Sequence, residues 1–171
     1  MLHIYYGNGK GKTTAAVGLI IRACGADMKT AFFQFLKNGS SSEISVLQKL
    51  NGSTIVCCKS CNKFTFSMNE SEKLAVTAEH NKMLDMAEKM VKNGQVQLIV
   101  LDEVLDAYNK KLIDTNRFDS FLSETSDMCE IVLTGRSPSE KMIESADYLT
   151  EMCAIKHPFD KGIAARKGIE Y

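Results

Sequence analysis

The sequence predicts an α/β fold in which a mainly parallel sheet is flanked by helices. Short apolar runs alternate with longer segments of helical periodicity along the chain, which is the order typical of strand–helix–strand units. The segment "VQLIVLDE" is almost continuously apolar before its two acidic residues, as expected for a strand buried on both faces of such a sheet. A chain of 171 residues suits one domain. We therefore predict a single domain over residues 1–171.

The predicted elements follow from these local patterns. Strands are predicted at 2–6, 30–36, 53–58, 96–101, 130–134 and 148–152, and helices at 13–25, 70–92, about 115–124 and 138–145. In the long helix, Val76, Met83 and Ala87 share one face and charged residues occupy the other, which predicts that this apolar face packs on the core. The polar segment "KNGSSSE", residues 37–43, is predicted to be a mobile loop.

The segment "GNGKGKTT", residues 7–14, lies between the first strand and the first helix. Glycines allow N–H groups to converge on a bound group, and a helix N-terminus attracts anions. Gly11-Lys12-Thr13 fits the end of the pattern G-x-x-x-x-G-K-[ST], although Tyr6 stands where its first glycine belongs. The alternative is a flexible turn, but the context favours a phosphate-loop NTPase-like fold. The predicted nucleotide-binding residues are Gly7, Asn8, Gly9, Lys10, Gly11, Lys12, Thr13 and Thr14.

Two acidic residues, Asp102 and Glu103, come at the carboxyl end of the strand "VQLIVLDE". This is the edge at which parallel sheets bind ligands. In phosphate-loop proteins an acidic residue here reaches Mg²⁺, directly or through water, and the loop hydroxyl supplies another oxygen. Thr13, Asp102 and Glu103 are therefore the predicted metal site. The alternative is that the acidic pair only caps the next segment.

Arg136 follows the predicted strand 130–134 in "EIVLTGR". Its position at the same sheet edge would allow it to neutralise phosphate charge. By itself, it is equally consistent with an ordinary surface arginine.

The composition disfavours nucleic-acid and membrane partners. Lys plus Arg equals Asp plus Glu at 21 each, so the chain has no overall basic charge to attract a polyanion. No apolar run approaches the roughly 18 residues of a spanning helix, and the first residues show no secretory pattern. We expect a cytoplasmic protein with no nucleic-acid or membrane partner.

Six cysteines include the pair in "CKSC", residues 58–61. This spacing is compatible with half of a zinc site or with a redox pair. Because no second pair has metal-ligand spacing, and because Cys57 and Cys58 end an apolar run, reduced structural cysteines are favoured. Of the histidines, His3 is predicted in the first strand and His80 on the polar face of its helix.

Several motifs together resemble one enzyme family. They are "GNGKGKTTAA", "FQFLKNG", "KFTF", "LDE", "LTGR" and the closing "IKHPFDKGIAARKGIEY". The chain resembles the corrinoid adenosyltransferases over nearly its whole length. The resemblance implies transfer of the 5′-deoxyadenosyl group of ATP to the cobalt of a reduced Co(I) corrinoid, with triphosphate leaving, in adenosylcobalamin biosynthesis or salvage. Lys12, with Lys10, Arg136 and Mg²⁺, would then stabilise the leaving group.

The resemblance also assigns a role to Phe64 and Phe66. The family usually shows Gly-Phe-Thr-Trp where this chain has "KFTF". Such aromatic side chains exclude the lower axial ligand of cobalt, which makes reduction of Co(II) feasible. The alternative is that "FTF" forms a short strand packed on the sheet. Many relatives carry an N-terminal extension that helps to cover the corrinoid, so we expect enclosure here to be incomplete or completed by a partner subunit.

The same resemblance implies partners, namely an electron-donating flavoprotein or ferredoxin and a second copy of the chain in a homodimer. We expect His157 in the tail to be structural or to support other site residues, because this chemistry needs no neutral base. Two other functions are compatible with a phosphate loop: a thymidine-kinase-like phosphoryl transferase, which would release ADP, and a non-catalytic ATP-dependent switch.

Overall fold

Six strands form one sheet in which every neighbouring pair is parallel. This architecture comes from a computed structural model that describes residues 1–170. The strands are β1 (Leu2–Tyr6), β2 (Thr30–Gln34), β3 (Ser53–Cys57), β4 (Leu98–Asp102), β5 (Glu130–Thr134) and β6 (Tyr148–Glu151). Their order across the sheet is β3-β2-β4-β5-β1-β6. The predicted α/β class is confirmed.

Helices connect the strands and cover the sheet. They are α1 (Lys12–Cys24), α2 (Ser42–Leu47), α3 (Glu70–Lys92), α4 (Val104–Asn109), α5 (Thr115–Thr125) and α6 (Glu140–Ser145). Short 3₁₀ turns occupy Thr65–Ser67 and Pro158–Lys161. Within residues 1–170, no helix combines the length and the apolar character that crossing a bilayer requires.

The core is divided between the two faces of the sheet. Along β4, Ile99 and Leu101 belong to one buried cluster, whereas Leu98 and Val100 belong to the other, because successive strand side chains point to opposite faces. The first cluster includes buried residues of α3, α4 and α5, and the second includes those of α1 and α2. Both faces of β4 are therefore covered, as its continuous apolar sequence predicts.

Most predicted elements are present, some of them with shifted ends. The strands predicted at 2–6 and 130–134 and the helix predicted at 70–92 have the observed bounds. The strand predicted at 30–36 ends at Gln34, and two residues later Leu36 adopts a left-handed conformation with φ 55° that turns the chain. Part of the segment predicted as a mobile loop is helical, since α2 begins at Ser42.

The predicted position of His80 on the polar face of α3 is wrong. His80 is fully buried, in the same stripe as Val76 and Leu84, because residues four apart lie on one side of a helix. Its Nδ1 lies 2.7 Å from the carbonyl oxygen of Leu112. A polar partner in the segment after α4 thus makes burial of the ring possible.

Candidate active site

The glycine-rich loop joins β1 to α1 and is held against β6. The N–H groups of Gly7 and Gly9 donate to the carbonyl oxygens of Arg136 (3.0 Å) and Met152 (2.6 Å). A Cβ at Gly7 or Gly9 would lie 2.5 or 2.6 Å from the Met152 carbonyl oxygen, so a side chain at either position would displace backbone. These two glycines allow the loop to pass close to the backbone at Met152. The first N–H groups of α1 have no partner within the helix and can donate to a bound anion.

Lys12 lies over the loop from the first position of α1. Its Nζ donates to the carbonyl oxygen of Gly9 at 2.8 Å. Burial lowers the pKa of Lys12, and the nearby carboxylate of Glu103 partly opposes this effect. The hydrogen bond to Gly9 therefore holds the Lys12 side chain at the helix N-terminus, which attracts anions.

Asp102 joins the loop to the central strands. It is fully buried, and its Oδ1 accepts hydrogen bonds from the hydroxyls of Thr13 (2.8 Å) and Thr134 (2.7 Å). The N–H of Glu103 donates to the same Thr134 hydroxyl at 2.9 Å. The predicted association of Thr13 with the acidic strand end is therefore present.

Lys37 completes this charged group, although it is not among the residues predicted from the sequence. Its Nζ lies 3.3 Å from both Asp102 Oδ2 and Glu103 Oε1. Burial disfavours the ammonium, but the two carboxylates outweigh this effect and raise the pKa of Lys37. No local sequence pattern indicated this contact, because Lys37 reaches Asp102 only through the pairing of β2 with β4, in which Gln34 stands opposite Asp102.

The two acidic residues have different environments. Glu103 is half-buried and is the residue immediately before α4, where it adopts a left-handed φ of 62°. Burial raises the pKa of Glu103, with Lys37 lowering it and Asp102 and Asp106 raising it further. Asp102 is engaged on both oxygens, whereas Glu103 lies nearer to solvent.

Arg136 lies just beyond the carboxyl end of β5, next to the glycine-rich loop. Its backbone N–H donates to Asp106 Oδ2 at 2.8 Å, and its carbonyl oxygen accepts from Gly7. Its side chain is exposed, and it lines a shallow pocket with Asn8 and Glu151. The backbone is thus fixed against the loop while the guanidinium remains accessible to a ligand.

A cavity of about 520 Å³ opens beside the start of α1. Its lining combines the loop, the segment from Lys37 into α2, and the end of the tail: Lys10, Thr13, Thr14, Val17, Lys37, Ser41, Ser42, Glu43, Val46, Gly168, Ile169 and Glu170. Pairing with Arg166 lowers the pKa of Glu170 to about 2. The tail therefore brings an ionised carboxylate to a cavity that also contains two lysines.

Phe64 and Phe66 project from the 3₁₀ turn after β3. They are 76% and 87% exposed, and their rings stack on each other with centroids 5.5 Å apart. The alternative in which they form a strand packed on the sheet is wrong, because Thr65–Ser67 is a turn and both rings face solvent. They form an apolar surface outside the cavity lining.

His157 has a local contact in the tail. Its Nδ1 accepts the N–H of Phe159 at 3.2 Å at the start of the turn Pro158–Lys161. This hydrogen bond caps the turn Pro158–Lys161, which is consistent with the structural role expected for His157.

Comparison with known proteins identifies the family. The family model for ATP:corrinoid adenosyltransferase BtuR/CobO/CobP matches residues 1–171. The chain belongs to this family.

Individual relatives agree with that assignment. A corrinoid adenosyltransferase of Sinorhizobium sp. is 34% identical over 96% of this chain and 77% of its own length. A corrinoid adenosyltransferase of Pseudomonas aeruginosa is 31% identical over 100% of this chain and 83% of its own length. The protein is thus an enzyme of the corrinoid adenosyltransferase family, whose members adenosylate corrinoids with ATP. The alternative kinase and switch functions are not favoured.

Proposed function

We propose that the cavity beside α1 binds ATP so that its triphosphate, and not a single phosphoryl group, is the leaving group. In this reaction Co(I) attacks the ribose C5′ atom and supplies the electron pair of the new Co–C bond. The C5′–O bond breaks, and its electron pair leaves with triphosphate. The observation that carries this proposal is the concentration of Lys10, Lys12 and Lys37 around one helix N-terminus, where charge on a departing polyanion would be stabilised.

Within this proposal the cations act at different positions. Lys12 lies over the loop through its bond to Gly9 and would exchange this carbonyl for phosphate oxygens. Lys10 lines the open cavity and would contact the outer phosphates. Arg136 approaches from the β5 side of the loop, where its guanidinium would bind oxygens of the triphosphate in bidentate fashion. Together with the remaining loop residues, these groups form the proposed ATP site.

The carboxyl end of β4 has oxygen ligands that suit Mg²⁺. A hydroxyl and carboxylates are the hard oxygen ligands that this ion prefers, and the Thr13 hydroxyl already lies 2.8 Å from Asp102. We propose that Thr13 is a direct ligand and that buried Asp102 orients it or acts through water. Glu103, which is less enclosed, would contact the hydrated ion. Bound Mg²⁺ would neutralise charge on the triphosphate.

The corrinoid would contact the exposed Phe64–Phe66 pair. Two large apolar rings that are 76% and 87% exposed would gain free energy by covering an apolar ligand surface. We propose that they occupy the lower side of the cobalt and exclude its axial ligand, so that Co(II) is more easily reduced. Phe66 stands where the family usually has tryptophan, so the apolar contact is retained with a smaller ring.

Reduction of Co(II) requires an electron donor, for which a flavoprotein or ferredoxin has the appropriate chemistry. The tail carries further exposed apolar side chains, Ile155 and Phe159, which the corrinoid or a second copy of the chain would cover. We therefore propose a homodimer that acts in the cytoplasm and accepts electrons from such a donor.

Product analysis tests this function directly. The full chain is supplied with ATP, Mg²⁺ and a chemically reduced corrinoid, and products are separated by anion-exchange chromatography and visible spectroscopy. We expect equal amounts of triphosphate and a light-sensitive adenosylated corrinoid. Formation of ADP in proportion to turnover would instead establish phosphoryl transfer, and slow release of phosphate without corrinoid product would favour the switch.

A further inference from the structure

A second cluster of side chains of metal-ligand type lies on the face of the sheet opposite α1, outside the lining of the proposed ATP site. Cys58, Cys61 and His80 are all buried, and their donor atoms lie within 4.8 Å of one another. The two sulfurs are 2.8 Å apart, and His80 Nε2 is 3.7 Å from Cys61 Sγ. A 3₁₀ turn and the first part of α3 separate His80 from the cysteine pair along the chain, so only the fold shows this convergence.

We propose that Cys58, Cys61 and His80 bind a zinc ion. Two thiolates in Cys-x-x-Cys spacing with one imidazole are a soft donor set typical of Zn²⁺. Three protein ligands leave one position of a tetrahedral site for a water molecule. This inference goes beyond the proposed adenosyl transfer, and its test does not depend on that reaction.

The orientation of His80 supports this assignment. Its Nδ1 lies 2.7 Å from the Leu112 carbonyl oxygen, an acceptor that requires the N–H on Nδ1 and leaves the Nε2 lone pair toward Cys61. Metal-binding histidines usually have their second nitrogen fixed in this way. Nε2 also lies 3.4 Å from the N–H of Leu36, a long contact that a metal would replace.

The loop between the cysteines is also preorganised. The carboxylate of Glu79, the neighbour of His80 on α3, accepts the N–H groups of Lys59 (2.7 Å) and Ser60 (2.8 Å). Glu79 therefore holds the Cys-x-x-Cys turn against the helix that carries the third ligand. Zn–S bonds of about 2.3 Å require the thiolates to separate to about 3.8 Å in a tetrahedron, which rotation of the cysteine side chains can provide.

Zinc at this position would fasten the chain after β3 to α3. Cys61 is three residues before Phe64 and lies 5% exposed beneath that segment. The metal would thus restrict the turn that presents Phe64 and Phe66. The proposed effect of the metal is on the position of this turn, and no step of the reaction is assigned to it.

Metal titration of the full chain tests the proposal. The protein is reduced, stripped with a chelator and titrated with Co²⁺ in the absence of ATP, Mg²⁺ and corrinoid. We expect one equivalent to bind with a thiolate-to-cobalt charge-transfer band, which oxygen ligands at the Thr13–Asp102 site cannot produce, and Zn²⁺ to displace it. At about 100 times its Kd, Zn²⁺ should raise Tm by about 5 to 10 °C.

Variants locate the site. Cys61→Ser and His80→Ala should each weaken Zn²⁺ binding by about tenfold or more, whereas Cys129→Ser, which alters a buried cysteine elsewhere, should leave it unchanged. If the variants do not fold, Zn²⁺ protection of Cys58 and Cys61 from alkylation in the wild-type protein, mapped by mass spectrometry, provides the same information. A Cys58–Cys61 disulfide whose reduction gives no Co²⁺ charge-transfer band would overturn the proposal. Equal binding by Cys61→Ser and wild type would also overturn it.

Discussion

The Thr13 hydroxyl donates to Asp102 Oδ1 at 2.8 Å, joining the first turn of α1 to the carboxyl end of β4. The same oxygen accepts from Thr134 on β5. One buried carboxylate therefore fixes the start of α1, which follows the glycine-rich loop, relative to two central strands. Preorganisation of this kind lowers the cost of arranging charged groups around a nucleotide.

We expect Thr13→Ala to raise the Mg²⁺ concentration that is required for activity. The affinity for ATP, measured at saturating Mg²⁺, should change less. Loss of the hydroxyl removes the proposed ligand and leaves Asp102 with one hydroxyl partner fewer. The Mg²⁺ concentration for half-maximal activity should rise about tenfold or more. Thr13→Ser retains the hydroxyl and is the matched control. Equal Mg²⁺ curves for all three proteins would exclude Thr13 as a ligand.

Lys12→Ala should lower the rate of adenosyl transfer by about 100-fold or more, because one donor to a developing anion is typically worth that much. ATP affinity should also fall. Lys49→Ala, which changes an exposed lysine after α2, controls for loss of one positive charge. The measurements are initial rates at varied ATP and calorimetric binding of ATP. Wild-type kinetics at limiting ATP would show that the loop is not the nucleotide site.

Phe64→Ala should separate two activities. With Co(II) corrinoid and a weak reductant most activity should be lost, since a ligand could return to the lower axial position. With corrinoid already reduced to Co(I), much of the rate should remain. Because Phe64 is 76% exposed, we expect its removal to change the free energy of unfolding by less than about 0.5 kcal/mol.

Leu74→Ala is the control for the aromatic pair, because Leu74 is 71% exposed on α3. It should leave both assays unchanged. If Phe64→Ala loses the same fraction of activity in both assays and retains ATP binding, the ring positions the corrinoid and does not act on its axial ligand.

Glu103→Gln should stabilise the protein at neutral pH. Burial raises the pKa of Glu103 above 4.5, so folding favours its protonated form. That contribution is fully present below pH 4.5 and is lost as pH rises through the pKa of the folded state. The glutamine variant should therefore unfold at higher denaturant than wild type at pH 7, with the difference shrinking toward pH 4.

Glu144→Gln, at an exposed position on α6, controls for the loss of one carboxylate. Urea unfolding followed by circular dichroism at both pH values gives the comparison. A Glu103→Gln variant that is less stable than wild type at pH 7 would show that Lys37 favours the ionised carboxylate more than burial disfavours it, and would contradict a raised pKa of Glu103.

The sequence by itself determined the six strands of the sheet and the helices α1, α3, α5 and α6, the loop at residues 7–14 and the placement of Asp102 at a strand end, whereas the short helices α2 and α4 were not predicted. These features depend on local periodicity, on glycine and on apolar runs, which a linear pattern records. The same local information placed Phe64 and Phe66 but left open whether they were packed or exposed.

The tertiary structure decided which distant groups meet. Thr13 and Asp102 are 89 residues apart in the chain, and strand order brings them together. Lys37 joins Asp102 because β2 lies beside β4, and Gly7 and Gly9 must be small because the chain at the end of β6 presses against their loop. His80 meets Cys61 only where α3 packs over the segment after β3. Helix periodicity predicts which residues share one face of α3, but the tertiary packing decides what that face contacts. As a result His80, which was expected on the polar face, is buried beside Cys61.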